Sequence, residues 1–292
     1  MGTNLMNRKL GPYLLAAPGL AWWMFFLIIP CALVLAYAFM ERGTYGGVIP
    51  NFNLENLVRA FNGLYLEIFI RSARIAIESA LISLLIGYPA ALAISRAPRR
   101  WQMPLLFLVI LPFWSNYLIR TYAWIVLLNR AGIVNQVMMA TGIIHEPLTL
   151  IYNESAVVIG FVYNYLPFVI LTVFASIQRL NPELTEASED LGASAWQTLR
   201  RVTIPLTMPG IAAGGVFVFV LSIGNFVTPQ LLGGGRMKMV GNLIQDQFAS
   251  ARDWPFGSAL ALVLITIMLA LLAIQARIQQ GVRNVEKEQE VA

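Results

Sequence analysis

Residues 186–210 read EASEDLGASAWQTLRRVTIPLTMPG, a charged and polar stretch in a chain that is elsewhere overwhelmingly apolar. Its local signals spell a helix, an elbow and a second helix. Asn181 is a capping residue, Pro182 suits the first helical position, and Gly192 suits a left-handed helix end. Ser194 and Gln197 carry the S-x-x-Q spacing of a capping box, so a second helix starts at once, until Pro205 and Pro209 interrupt before the next apolar run. Leu184, Ala187 and Leu191 recur at helical spacing and share a face, while Glu183, Glu186, Glu189 and Asp190 occupy the rest. Ala187 and Gly192 leave room for close approach. Such an element docks into a partner's groove by its small and apolar residues, with the acids steering and orienting it. The alternative is an amphipathic helix resting on the inner membrane surface. Four acids within residues 183–190 fit that poorly, because an anionic leaflet attracts basic helices.

The surroundings are those of a membrane protein. Of 292 residues 58% are hydrophobic and 12% charged, with a mean hydropathy of +0.68, far outside the mix of a soluble domain. The net charge of +5 does not point to nucleic acid, since the basic residues sit mostly between apolar runs, as topology determinants do. The single cysteine, Cys31, excludes an internal disulfide and a cysteine metal cluster. Its context LIIPCALVLAYAF superficially suggests a lipoprotein cleavage site, but Pro30 precedes it and the apolar run continues beyond, so the segment reads as a retained span.

A spanning helix needs about 20 mostly apolar residues. Six stretches qualify, at roughly 12–40, 68–94, 103–128, 156–178, 208–232 and 257–279, and each must be helical because lipid offers backbone groups no partner. Prolines at 18, 30, 89, 112 and 167 predict kinks. With the N-terminus inside, eleven Lys and Arg fall on the cytoplasmic side (Arg8, Lys9, Arg96, Arg99, Arg100, Arg179, Arg200, Arg201, Arg277, Arg283 and Lys287) against six in the outer loops (Arg42, Arg59, Arg130, Arg236, Lys238 and Arg252). The short connection RAPRRWQM, residues 96–103, weighs most. Both termini are therefore expected in the cytoplasm, and so is the 181–207 loop. The outer loops are too short for a separate domain, so residues 1–292 read as one transmembrane domain; helical pieces are expected at NRAGIVNQVMMATG and GNLIQDQFASA, and NVEKEQEVA reads as a solvated tail.

Chemistry inside the membrane is sparse. The chain has no G-x-x-x-x-G-K-[ST] phosphate loop, so it is not itself an ATPase. His145 beside Glu146 makes no metal site, and no catalytic constellation is present. Ionisable groups within spans cost roughly 2.5–3.5 kcal/mol for Asp, Lys or Arg at a helix centre, so each needs a reason. Arg71, Arg74 and Glu78 share a face, with Arg74 and Glu78 spaced to pair; Glu78 is either part of a structural ion pair or a receptor for a cationic solute. Trp114, Tyr117, Thr121 and Trp124 fall on one stripe, with Asn116 and Arg120 on an adjacent line, a pattern for an aromatic cation path or an interfacial belt. Tyr163, Asn164 and Tyr165 beside Pro167, and Asn225 with Thr228 beside Pro229, are polar interruptions of the kind that line cavities or join helices. Asp246 is the outer acid best suited to a cation. The candidates for a solute path are Glu78, Trp114, Tyr117, Tyr163, Asn164, Asn225 and Asp246.

The spacing Glu186-Ala187, Gly192 and Val202-x-Ile204-Pro205 resembles the EAA loop of ABC importer permeases, departing from its consensus at Ser188, where a second Ala is usual, and at Ile204. The resemblance implies an all-α integral membrane protein with six transmembrane helices in the type I ABC importer permease (MetI-like) fold. It implies that Glu186, Ala187, Ser188, Leu191, Gly192 and Pro205 dock a cytoplasmic ATPase through a coupling helix. Across most of the chain, LPFWSNYLIRTYAWIVLLNRAGIVN, GNFVTPQLLGGG and VGNLIQDQFASARDWPFGSALAL resemble the first permease subunit of spermidine/putrescine-type importers. That subfamily implies a second, homologous permease, two ATPase subunits that bind ATP and Mg, a periplasmic substrate-binding protein, a small cationic solute such as a polyamine, and a place in the bacterial inner membrane. No cofactor is implied for the chain itself. The competing readings are an ion-gradient-driven transporter that uses Glu78 and Arg120 as coupling charges, and a membrane scaffold that moves no solute.

Overall fold

The structure is a computed structural model that describes residues 16–235 and 237–291, with side chains as far as residue 277. Residues 12–15 of the first expected span, Arg8, Lys9 and Arg236, and the side chains of Arg283 and Lys287 lie outside the described residues. Chain packing divides the protein into two compact units, residues 1–63 with 244–265, and residues 64–243 with 266–292.

In the first unit, α1 (Ala16–Ala38) is apolar all round and carries a π-helical stretch, Met24–Ile28, just before Pro30. The Ile29 N–H reaches back to the Met24 carbonyl, a widened turn that accommodates a proline ring whose nitrogen cannot donate. Trp22, Trp23, Phe25 and Phe26 point outward, as on a helix whose solvent is lipid. A hairpin of β1 (Glu41–Arg42) and β2 (Val48–Ile49), in the register Glu41 to Ile49, leads to α2 (Glu55–Ala60). These loops are pinned through Asp253, which is only 2% exposed: Arg59 Nη1 donates to its carboxylate at 3.0 Å, and the Phe256 N–H donates to its other oxygen at 3.2 Å. The Arg59 guanidinium also lies 3.9 Å over the Phe256 ring.

The second unit is organised by α3 (Gly63–Arg96), α7 (Glu154–Ile177) and α10 (Met208–Ile223). Between α3 and α7 lie α4 (Arg99–Ile110), α5 (Tyr117–Leu128) and α6 (Ile133–Ala140). Before α10 come α8 (Pro182–Asp190) and α9 (Ala195–Leu206), and after it α11 (Val227–Leu232). Two further helices, α12 (Val240–Ala249) and α13 (Trp254–Val291), give residues to both units. On α3 most of the buried face is small (Ser72, Ala76, Ser79, Ala80, Ser83, Gly87 and Ala91, beside the larger Phe69, Ile75 and Ile94), whereas Leu81 and Leu85 point out. That inversion of the soluble pattern is how helices approach one another in lipid, where large apolar groups gain nothing by leaving the surface. A Cβ on Gly87 would lie 2.7 Å from Val169 Cγ1, and one on Gly214 of α10 would lie 2.7 Å from Thr172 Oγ1, so glycines set the spacing of α3 and α10 against α7.

By length and composition five segments among the described residues can cross a membrane, namely α1, α3, α5 with α6 (Tyr117–Ala140), α7 and the first part of α13 (Trp254–Arg277), or six if α9 and α10, bent by 67°, form one broken span. Two expected spans are not continuous. The third, 103–128, breaks into α4, a 3-10 turn at Leu111–Trp114 and α5. Pro112 sits at the first turn of that 3-10 segment, and Asn116 restarts the α-helix by accepting hydrogen bonds from the N–H groups of Leu118 and Ile119 at 2.8 and 3.4 Å. The fifth, 208–232, breaks at Gly224–Phe226. There Asn242 Nδ2 donates to the Phe226 carbonyl at 2.7 Å, and Gly241 approaches so closely that a Cβ would lie 2.6 Å from the Gly224 oxygen. Helices form at both places expected in outer loops, α6 and α12, but α6 belongs with α5 to the segment Tyr117–Ala140, which is long and apolar enough to cross a membrane. The tail expected to be merely solvated is helical through Val291, in keeping with its run of Glu, Lys and Gln.

Candidate functional site

The charged loop folds from its own local signals. Asn181 Oδ1 accepts from the Glu183 N–H at 3.1 Å and starts α8. The helix closes as a Schellman motif: the Ala193 N–H donates to the Ser188 carbonyl at 3.1 Å, the Gly192 N–H to the Glu189 carbonyl at 2.9 Å, and Gly192 takes φ +81°. The capping box forms as the spacing requires, with the Ser194 N–H donating to Gln197 Oε1 at 2.8 Å and the Gln197 N–H to Ser194 Oγ at 3.4 Å. Leu191 is left 89% exposed at the elbow, flanked by the exposed Glu183, Glu186, Glu189 and Asp190, with Ala187, Gly192 and Pro205 also on the surface. Trp196, at the start of α9, is likewise exposed. It escaped the sequence reading, although an aromatic residue inside a capping box in a polar stretch was a signal. Ser188 differs from its neighbours: it is half-buried, and its hydroxyl lies 3.0 Å from Thr198 Oγ1.

A second cluster forms where two helix breaks meet α7. Asn225, in the break after α10, donates from Nδ2 to the hydroxyls of Tyr117 at 2.7 Å and Tyr165 at 2.8 Å, and accepts at Oδ1 from the Thr228 N–H at 3.0 Å. The Tyr117 hydroxyl lies 2.5 Å from Thr228 Oγ1, and the Tyr165 hydroxyl donates to the Leu221 carbonyl at 3.3 Å. Beside this node opens a pocket of about 370 Å³, bounded by Tyr165, Leu221, Gly224, Asn225 and Phe226 among others. Arg120 is buried just behind. It donates from Nη1 to the Pro112 carbonyl at 3.0 Å, with its guanidinium 5.2 Å from the Phe113 ring centroid and 5.9 Å from that of Tyr117. It thus ties α5 back to the 3-10 turn through a carbonyl that also accepts from the Ser115 N–H at 3.2 Å and the Ser115 hydroxyl at 2.7 Å.

Residues 83–284 match the family described as "Binding-protein-dependent transport system inner membrane component". The chain belongs to that family. As a binding-protein-dependent transport component it is a membrane subunit of a transport system and not an enzyme. It is 40% identical, over 92% of its length and 94% of the relative's, to the spermidine/putrescine transport system permease protein PotB of Haemophilus influenzae. It is 31% identical to the inner membrane ABC transporter permease protein YdcU of Escherichia coli K12, covering 93% of this chain and 91% of that one. A chain of the crystal structure of a bacterial alginate ABC transporter in complex with an alginate pentasaccharide-bound periplasmic protein superposes with a TM-score of 0.70 at 17% identity, covering 95% of this chain and 96% of that chain. That likeness establishes the fold, the one expected for a type I ABC importer permease.

Within this transport component the expected path residues separate. Tyr117 and Asn225 meet in the node. Of the run Tyr163, Asn164 and Tyr165, Tyr165 alone joins them, because successive helical residues point about 100° apart. Asn164 is buried and donates to the Gly160 carbonyl at 2.8 Å, while Tyr163 packs edge-on to Trp124 with ring centroids 5.4 Å apart. The expected stripe from Trp114 to Trp124 does not exist as one helix face. The break separates Trp114, which is 76% exposed and set edge-on to Phe107, from Tyr117 and the rest of α5. Glu78 lies with its Oε1 3.6 Å from Arg74 Nε, in a cluster where Arg74 also pairs with Glu154 and Arg71 pairs with Glu67 at 2.8 Å. Asp246 lies on α12 within the other unit and is half-buried.

Proposed function

We propose that the chain is one of two homologous permease subunits of an ATP-driven importer of polyamines or a similar small organic cation. Two ATPase subunits, which bind ATP and Mg, dock on the α8–α9 elbow from the cytoplasm, where both chain termini also lie. A periplasmic binding protein delivers the solute. The observation that supports this reading is the elbow itself: a Schellman-closed, box-capped knob with Leu191 89% exposed at the end of a helix that carries four exposed acids, joined through α9 and a 67° bend to the apolar helix α10. Glu186, Ala187, Leu191, Gly192 and Pro205 form the contact, and Ser188 supports it from within. ATP binding closes the paired ATPases, the elbows move with them, and the spans rearrange to open the path to the other side.

The solute class rests on two supports. Relatives at 38–40% identity are described as spermidine/putrescine permeases. The pocket beside the node is bounded by Tyr165 and Asn225 and lies at the C-terminal end of α10, which carries the partial negative charge of a helix dipole. Tyr117, Tyr165 and Asn225 are the central path residues. Glu78, Trp114, Tyr163, Asn164 and Asp246 are secondary candidates.

Copurification of the ATPase with this chain and its partner permease tests the reading. Wild type retains the ATPase, whereas Gly192→Asp and Glu186→Lys lose it while still inserted in the membrane. Retention by the variants equal to wild type, or none by wild type, refutes the docking assignment. Spermidine and putrescine uptake, each competed with neutral solutes of equal size, tests the solute class.

A further inference from the structure

The elbow is tied to the rest of its unit by hydroxyl groups that the polar node does not use. Two joints interrupt the helices of this region. One is the Gly192 elbow, where a residue with φ +81° joins two helices. The other is the 67° bend between α9 and α10, where Thr207 sits between Pro205 and Pro209, two residues that cannot donate backbone hydrogen bonds. Each joint is bridged by a hydroxyl pair. Ser188 Oγ and Thr198 Oγ1, 3.0 Å apart, pin α8 to α9 across the elbow. Tyr88 Oη and Thr207 Oγ1, 3.2 Å apart, pin the bend to α3. Thr207 donates its own proton to the Thr203 carbonyl at 2.8 Å, so the Tyr88 O–H is the donor of the cross-helix bond. Between the bridges, Thr203 Oγ1 donates to the Thr198 carbonyl at 3.5 Å across the π-helical stretch Leu199–Thr203. Thr198, Thr203 and Thr207 are buried, so water does not compete for these bonds as it does for a surface pair.

We propose that Ser188, Thr198, Thr207 and Tyr88 are positioning residues for energy coupling. The Ser188–Thr198 pair makes α8 and α9 a single lever, and the Tyr88–Thr207 pair delivers the lever's motion to α3, next to Pro89, as well as to α10. Without the first bridge a push on α8 is absorbed by rotation at Gly192. Without the second it is absorbed at the bend, and α3 does not follow. Ser188, the position where the EAA consensus has a second Ala, gains a reason here, because alanine makes no such bond. The proposal rests on the reading of the elbow as the ATPase-docking element.

The test uses the complete importer, this chain with its partner permease and ATPase, in lipid vesicles, with spermidine and its binding protein as the probe. ATPase content, spermidine imported and ATP hydrolysed are measured for Thr198→Val and Tyr88→Phe, with Thr198→Ser as the conservative variant. The expected result is unchanged ATPase content, a roughly 3- to 10-fold fall in spermidine imported per ATP, the scale of one net hydrogen bond, and recovery in Thr198→Ser. An unchanged ratio at full ATPase content overturns the proposal and leaves the docking reading intact. Loss of ATPase from Thr198→Val or Tyr88→Phe also overturns it, since the hydroxyls then serve docking rather than transmission. A wild-type complex without ATPase removes the docking reading, and the lever with it. Tyr88→Phe deletes one oxygen at a half-buried position, so it carries the test if Thr198→Val lowers the amount of folded protein.

Discussion

Replacing Asn225 with leucine removes three hydrogen bonds at once: to the hydroxyls of Tyr117 at 2.7 Å and Tyr165 at 2.8 Å, and from the Thr228 N–H at 3.0 Å. At about 0.6–1.5 kcal/mol net for each bond inside a membrane protein, the change costs roughly 2–4 kcal/mol. The two tyrosines are not equally dependent on it. Tyr117 keeps Thr228 Oγ1 at 2.5 Å, and Tyr165 keeps the Leu221 carbonyl at 3.3 Å, the longer and weaker bond. Tyr165 therefore loses its better partner, and Asn225→Leu and Tyr165→Phe share most of their effect. The assay is reversible unfolding of the detergent-solubilised chain by a denaturing surfactant, for Asn225→Leu, Tyr165→Phe, Tyr117→Phe and the two double variants containing Asn225→Leu. Each double variant should be less destabilised than the sum of its singles by about 0.5–1.5 kcal/mol. Additivity within about 0.3–0.5 kcal/mol in both cycles would show that the node carries no shared energy, and its place in the path reading would fall.

Two further outcomes follow from the backbone. At Gly192 a Cβ meets nothing within 4 Å, so only the φ of +81° resists substitution; Gly192→Ala should cost about 1–2 kcal/mol locally and speed amide exchange at residues 191–194, while Gly192→Asn, which tolerates that conformation, stays nearer wild type. Equal exchange in the two variants would refute the strain argument. At Gly87 a Cβ lies 2.7 Å from Val169 Cγ1, so Gly87→Leu forces α3 from α7 and should sharply lower the yield of membrane-inserted, heat-resistant protein, whereas Leu85→Met on the exposed face should not. Comparable yields would refute the close packing.

What the amino-acid pattern revealed, and what it hid, divides along one physical line. The ends of α8 and the start of α9 were legible residue by residue, because Asn181, Pro182, Gly192, Ser194 and Gln197 act on backbone groups within a few positions of themselves. The spans were legible as apolar lengths but not as continuous helices, since hydropathy averaged over a membrane's thickness does not register where a backbone breaks. Pro112 was a visible warning; Asn116 was the unread second half, an N-cap that lets an α-helix restart inside an apolar run. The node was hidden for a different reason. That Tyr165 and not Tyr163 or Asn164 reaches Asn225 depends on which sector of α7 faces the break after α10, a tertiary fact. The same holds for the hydroxyl bridges, because Ser and Thr in membrane helices commonly bond their own backbone, as Ser72, Ser79 and Thr121 do here. Yet the breaks explain why the polar residues gather as they do. At each break side chains bond the backbone: Arg120 and Ser115 add to the Pro112 carbonyl, Asn242 adds to the Phe226 carbonyl, and Asn225 supplies the partner of the Thr228 N–H. Such partners are set by side-chain rotamers rather than by a helix ladder, so they can be exchanged when the helices shift. Interruptions that look like defects in the hydropathy profile are therefore where a transport path can open and close without leaving the membrane-embedded backbone unsatisfied.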